Sequence, residues 1–279
     1  MDWRESLTGF LPPELRRTLL QAPDTAVGDC RELRLRVGRP MMFCWGENCV
    51  CQGRNLTADD LAALSQTLCQ HAPFAREAAV KQGFVSLPAG IRVGIAGQMS
   101  SQGLVGAWGS VCVRIPRQVV GCARELLPDL VEGRGVRSLL IAGPPGCGKT
   151  TLLRDAVCQV SARGFDVAVI DERGELAGCR AGVPGLEVGP HTDVISGCDK
   201  PHGLMWAVRS LSPRVVAVDE LGGPADTAAI IAAKHCGVAV LATAHARVGE
   251  LPEALRCGVF DTIIWLADRR IQKIERGMG

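Results

Sequence analysis

Two rhythms of apolar and polar residues divide this chain of 279 residues near position 120. In the first stretch the pattern is short and alternating. Glu32-Leu33-Arg34-Leu35-Arg36-Val37 exchanges charged and apolar side chains at every step, which predicts a strand with one buried face. Gly38-Arg39-Pro40 predicts a turn, and Met41 to Trp45 a second strand. Pro12 to Gln21 carries the spacing of a short amphipathic helix. Thr57-Ala58-Asp59-Asp60 supplies the cap of a helix running to about Gln70. Gly83 to Leu87, Ile91 to Ala96 and Val111 to Ile115 read as further strands. Gly97 to Gly109, rich in glycine and serine, reads as a mobile loop. Residues 1–120 are thus expected to form a small α+β domain.

Beyond it the rhythm lengthens. Residues 121–136 hold a short helix, Ala123 to Val131, and then Glu-Gly-Arg-Gly, and are expected to act as a linker or hinge. Over 137–279, apolar runs of strand type fall near 138–142, 166–170, 215–219, 238–242 and 261–266. Between the first two, Leu152, Leu153, Ala156, Val157 and Val160 recur at helical spacing. Strand and helix in alternation predict an α/β domain with a parallel sheet covered by helices. Ligands of such sheets sit at the carboxyl ends of the strands.

Those ends carry the chemistry. Gly143-Pro144-Pro145-Gly146-Cys147-Gly148-Lys149-Thr150-Thr151 satisfies the phosphate-binding loop pattern, with a buried-type strand before it and a helix after it. Glycines let the backbone wrap a phosphate closely, and the amides of the helix start point at it with the helix dipole behind them. Lys149 is expected to bring positive charge to the β- and γ-phosphates of ATP, and the Thr150 hydroxyl to ligate Mg²⁺. The apolar run Val215 to Val218 ends in Asp219-Glu220; Asp219 is assigned to the metal and Glu220 to the attacking water. A second apolar run ends in Asp171-Glu172-Arg173-Gly174-Glu175, where Glu172 and Glu175 are within expected reach of the catalytic water or of an arginine. A third ends in Thr243-Ala244-His245, polar groups placed where a γ-phosphate can be sensed, with His245 the catalytic candidate.

Composition narrows the class. The chain is 47% hydrophobic and 22% charged, as in a soluble globular protein, and its net charge of +2 gives no global signal for nucleic acid. Thirteen cysteines are scattered without a Cys-x-x-Cys pair, which argues for reduced thiols rather than a zinc or iron–sulfur site. The start, Met-Asp-Trp-Arg-Glu-Ser, lacks the apolar segment of a secretory signal, and no apolar run reaches membrane-spanning length; 228–244 is broken by Lys234 and His235. A cytoplasmic protein, peripheral to a membrane through partners, is expected.

The combination of phosphate loop, acidic segment, Asp-Glu strand end and following histidine resembles the secretion ATPases, the hexameric motors of type II and type IV secretion and of pilus retraction. From about residue 30 to 268 the chain is also similar to the stage III sporulation AA proteins of endospore-forming bacteria. Glu32 to Pro40, Gly90 to Gly94, Val113 to Pro116, Gly121 to Ala123, Ile170 to Glu175 and Arg209 to Pro213 carry that likeness. The resemblance implies a RecA-like, Mg²⁺-dependent ATPase core and a homo-oligomeric ring, expected to be a hexamer. ATP would sit between subunits, under the N-terminal domain of a neighbour, with arginines reaching across; Arg92, Arg114, Arg117 and Arg209 are the candidates. It also implies service to membrane-embedded sporulation channel proteins between mother cell and forespore. Two departures stand out: secretion ATPases usually place Gly-Glu where this chain has Asp219-Glu220, and their occasional zinc-binding cysteines have no counterpart. A nucleotide-gated assembly scaffold and a nucleic-acid motor are the alternative readings; the near-neutral charge and the lack of interleaved aromatic and basic residues count against the second.

Overall fold

The computed structural model describes residues 3–28, 30–71, 83–87, 90–101, 103–116, 118–179, 182–247, 250–251, 255 and 258–277. The chain divides into two compact units, Met1–Arg117 and Gln118–Gly279. Arg117, one of the arginines named above, lies outside the described residues.

In the first unit, α1 (Trp3–Thr8), α2 (Pro13–Leu20) and α3 (Asp24–Val27) precede β1 (Glu32–Arg36), β2 (Met41–Trp45) and β3 (Asn48–Gln52). Then come α4 (Ala58–His71), β4 (Phe84–Ser86), β5 (Arg92–Ser100) and β6 (Gly103–Arg114). The strands form one antiparallel sheet in the order β3-β2-β1-β6-β5-β4. The alternation in β1 does what its period demands: Leu33 and Leu35 are fully buried while Glu32, Arg34 and Arg36 stay on the other face. Leu61, Leu64 and Leu68 bring one face of α4 into the same core.

The segment 97–109 differs from its reading as a loop. It extends β5 and β6 into a long hairpin, with Met99 opposite Leu104 and Ser100 opposite Gly103. Leu104 and Trp108 are buried, which anchors the extension. Gly97 there reflects crowding rather than freedom: a Cβ on it would stand 2.7 Å from the Ala107 carbonyl. The strand bulges on both sides of that glycine.

The second unit opens with a 3₁₀ turn, Arg124–Leu126, and α5 (Leu127–Leu130), then a small ribbon of β7 (Val131–Glu132) and β8 (Gly135–Val136). The stretch expected as a hinge thus carries Ala123, Leu126 and Leu130 into the core of this unit. There follow β9 (Leu139–Gly143), α6 (Lys149–Ser161), β10 (Val167–Asp171), β11 (Thr192–Ser196), α7 (Lys200–Ser210), β12 (Val215–Leu221), α8 (Pro224–His235), β13 (Ala239–His245), β14 (Thr262–Ala267) and β15 (Arg270–Arg276). The sheet runs β11-β10-β12-β13-β9-β14-β15, parallel except for the last strand. Leu153, Val157 and Val160 of α6 cover one face, and Leu204, Ala207, Ile230 and Ala233 of α7 and α8 the other. Covered on both sides, β9 and β10 are buried at every residue, so their sequences are continuous apolar runs instead of alternating ones. The chain leaves β9 and crosses β13 and β12 to reach β10, so the carboxyl ends of all four strands open on one place. Among the described residues no helix is long and apolar enough to cross a membrane.

Candidate functional site

At the end of β9 the chain turns through Pro144 to Gly148 and enters α6 at Lys149. Gly146 and Gly148 have φ of +72° and +101°, the region that favours glycine, and Gly148 is the residue that caps the helix. Gly143 is required for a different reason. A Cβ there would lie 2.2 Å from the Leu266 carbonyl oxygen and 2.9 Å from the Cys147 sulfur. The first amides of α6 have no helical partners of their own and face the loop. Cys147 is buried and Thr151 half-buried within this segment.

Lys149 is 5% exposed, and its ammonium group has three neighbours. It donates to the Gly143 carbonyl at 3.0 Å and to the Pro144 carbonyl at 2.9 Å, and lies 3.1 Å from His245 Nδ1. An ammonium group only donates, so Nδ1 accepts and the ring hydrogen is on Nε2. Nε2 is 3.0 Å from Glu220 Oε1, to which it donates. The other carboxylate oxygen, Oε2, accepts from the Arg173 guanidinium. The phosphate loop, β13 and β12 are therefore joined by one polar chain, Lys149–His245–Glu220–Arg173. Burial alone would push the Glu220 carboxyl up; the His245 hydrogen bond and the positive charges of Arg173 and Lys149 outweigh it and hold the group below its ordinary value.

Asp219, one residue earlier, points the other way. Its Oδ2 accepts from the Thr150 hydroxyl at 2.7 Å, and its Oδ1 from the Thr243 hydroxyl. Two oxygens of different elements, a helix start and a strand end, are thus fixed side by side as hard-cation ligands would need to be. Thr243 is fully buried and so does not line the opening where a phosphate sensor was expected.

The acidic segment after β10 has a built frame. Asp171, 2% exposed, accepts from four backbone amides: Glu175 and Leu176 on Oδ1, at 2.9 and 3.1 Å, and Ala177 and Gly178 on Oδ2, at 2.8 and 3.3 Å. The buried Arg154 of α6 holds the carbonyls of the same turn, with Nε donating to Leu176 at 2.6 Å and a terminal nitrogen donating to Glu175. Burial pushes the Arg154 guanidinium down from its usual value, against the nearby charges of Asp219 and Asp171. Next to it on α6, Asp155 accepts from the amides of Gly121 and Ala123 at 2.8 and 2.7 Å and ties that turn to the helix.

The loop residues, Thr150, Asp219, Glu220 and His245 come together as a single site. Glu172 shares a cavity with Arg173, Lys200, Asp219 and Glu220, but its carboxylate accepts from the buried Lys200 ammonium at 2.6 Å rather than touching Glu220. Arg209 is exposed in the last turn of α7. In the first unit, Arg114 is exposed at the end of β6, and Arg92 places its guanidinium 3.6 Å over the Phe84 ring. Sequence patterning did not single out Arg154, Asp155 or Lys200. The sole signal in the sequence was the pair of charged residues set between apolar Leu153 and Ala156 on α6.

Solved structures with this architecture are known. The Legionella pneumophila ATPase DotB aligns over 92% of this chain and 76% of its own, at a TM-score of 0.61 and 17% identity. The pilus retraction motor PilT, solved with ADP, aligns over 87% of this chain and 76% of its own, at a TM-score of 0.61 and 16% identity. These likenesses show the RecA-like fold. In sequence, the chain is 36% identical over 245 residues to stage III sporulation protein AA of Bacillus subtilis (strain 168), covering 84% of this chain and 79% of that one. The family model described as sporulation stage III, protein AA matches residues 1–274, and the chain belongs to that family.

Proposed function

We propose that this protein is a Mg²⁺-dependent ATP hydrolase that works as a ring-forming motor at a membrane channel complex during endospore formation. The observation that carries the reading is the meeting of Lys149 and Thr150 with Asp219, Glu220 and His245 at one cluster of strand ends. The residues fit a nucleotide phosphate and a magnesium ion. A buried ammonium turned onto carbonyls is a ready phosphate donor, and a hydroxyl on a carboxylate is the pairing a magnesium ion would take over. The likeness to DotB, an ATPase, and to PilT, a pilus retraction motor, supports motor action, and membership of a sporulation family supports the setting.

Magnesium would neutralise charge on the phosphate oxygens when bound. Thr150 and Asp219 would hold it. Lys149 and the backbone N–H groups of Gly146 to Thr151 would hold the phosphates, in a loop, Gly143 to Thr151, whose Pro144 and Pro145 shape the turn without donating. Glu220 would orient the attacking water and draw on its proton, its carboxylate kept ionised by the neighbouring positive charges. His245 would place Glu220 through Nε2 and report on Lys149 through Nδ1. Glu172, across the cavity, would polarise the same water from the other side, with Lys200 setting its position.

The test is ATP hydrolysis with Mg²⁺ over a series of protein concentrations, with Lys149→Ala as the blank. Specific activity that rises with concentration is expected of sites shared between subunits. Glu220→Gln should bind ATP as wild type does and turn over more slowly by about two to three orders of magnitude. Wild-type turnover in Glu220→Gln sinks the assignment of the catalytic acid. Activity at the blank level throughout sinks the hydrolase.

A further inference from the structure

The two acids of the site sit on a distorted piece of strand. Between Val218 and Leu221 the pairing of β12 with β13 shifts register. Glu220, inside that shift, has φ of +55°, a left-handed conformation that a side chain with a Cβ adopts only where its surroundings impose it. Such a residue can relax by rotating back into the strand, which would swing its carboxylate away from His245. Something must hold it.

Among the described residues, one side chain bonds both the backbone of Glu220 and the carboxylate of Asp219. The Thr243 hydroxyl accepts from the Glu220 amide at 2.8 Å and donates to Asp219 Oδ1. A threonine hydroxyl has a single hydrogen, and here it is committed to Asp219. That leaves Oδ2 as the oxygen facing Thr150, at 2.7 Å. Thr243 lies in β13 opposite Ile141 of β9, fully buried, in a strand whose interior is otherwise apolar. A buried hydroxyl without partners is costly, so its presence here follows from the two hydrogen bonds it makes.

We infer that Thr243 is a positioning residue: its one hydroxyl fixes the rotamer of Asp219 and the left-handed backbone of Glu220, and so sets the geometry of both acids at once. Fully buried, it acts through the two acids it bonds. The inference rests on the reading of Asp219 and Glu220 as the metal-holding and water-orienting groups, and it makes their arrangement depend on a neighbouring strand. The 243–245 segment then acts on Glu220 at two points, the backbone amide through Thr243 and the carboxylate through His245.

Thr243→Val keeps the shape and removes the hydroxyl. It should lower kcat by roughly ten- to a hundredfold, the usual cost of losing a group that orients a metal ligand, with KM for ATP little changed. Thr243→Ser keeps the hydroxyl and should restore most of kcat. A purely structural role would move stability and leave that split and that rescue unseen. Amide hydrogen exchange at Glu220 in the nucleotide-free protein gives a readout independent of turnover: slow in wild type and Thr243→Ser, fast in Thr243→Val. If Thr243→Val does not fold, exchange at Glu220 in wild type and Thr243→Ser still decides, since an unprotected amide in either overturns the inference. So does wild-type kcat in Thr243→Val, or an equal loss in Thr243→Ser. Wild-type hydrolysis no higher than that of Lys149→Ala overturns the ATPase reading instead, a failure the exchange data keep separate.

Discussion

The glycines of the phosphate loop look alike in the motif and differ in what they do. Gly146 and Gly148 supply backbone angles, at φ of +72° and +101°, and no side chain crowds Gly146 within 4 Å. Gly143 supplies space, since an added Cβ would fall 2.2 Å from a backbone oxygen of β14, which is parallel to β9 and cannot step aside alone. An alanine at 146 meets only left-handed strain, about 1–2 kcal/mol. An alanine at 143 must push apart a pair of bonded strands in a buried sheet, which puts it at or beyond the upper end of overpacking costs, about 3 kcal/mol or more. Urea unfolding followed by circular dichroism should therefore show Gly143→Ala as the more damaging change by a wide margin; equal losses would mean that β14 yields. The motif showed which residues are glycine and not why, because the crowding partner is more than a hundred residues away. The same limit hid Arg154 and Asp155. Helical spacing reports which face of α6 is apolar, whereas these two are buried by loops that pack over its remaining surface.

At the scale of elements, the interior strands of the parallel sheet announced themselves and most edge strands did not; β4, at the edge of the first sheet, was legible as Gly83 to Leu87, and the hairpin ends of β5 and β6 were not. β9, β10 and β12 are apolar runs because both faces are covered. β3 and β11, at sheet edges, and β15, antiparallel at the far edge, are polar or mixed and carry no such run. One helix start, that of α4, was legible through its cap. Thr57 and Asp60 form a reciprocal box at the head of α4, with the Thr57 amide donating to Asp60 Oδ2 at 2.7 Å and the Asp60 amide to the Thr57 hydroxyl at 3.3 Å. Arg54 then grips both oxygens of Asp60, at 2.6 and 2.8 Å, a pairing no spacing rule anticipates. Its hydrogen bonds, with those of Thr57 behind them and partial burial opposing, hold the Asp60 carboxyl well below the usual carboxylate range. A group depressed on folding stabilises above its unfolded pKa, about 3.9 for aspartate, and loses that contribution as pH falls below it toward the folded value. Wild type should therefore be more stable than Asp60→Asn at pH 6, by a margin that shrinks at pH 3. A margin that is the same at both pH values would show that the box works through shape and not charge.

At the scale of the molecule, the division of labour between the two units is the remaining question. The core of the first unit is drawn from residues between Leu7 and Ile115, and the two core clusters of the second from Ala123 onward. Every residue proposed to hold phosphate, metal or water lies between Gly143 and His245. Residues 118–279 alone should therefore unfold in one cooperative step and bind ATP with Mg²⁺. In the proposed ring, though, charge from a neighbour completes each site, and two of the described arginines suited to that task, Arg92 and Arg114, belong to the first unit. The third, Arg209, belongs to the second. The fragment separates them. Specific activity that rises with concentration for the full chain and stays flat for 118–279 would assign the completing charge to the first unit. Activity that still climbs for 118–279 would give it to Arg209 on the exposed end of α7. A fragment that folds and yet fails to bind ATP would show that the first unit belongs to the binding site itself, and the proposed division would fall.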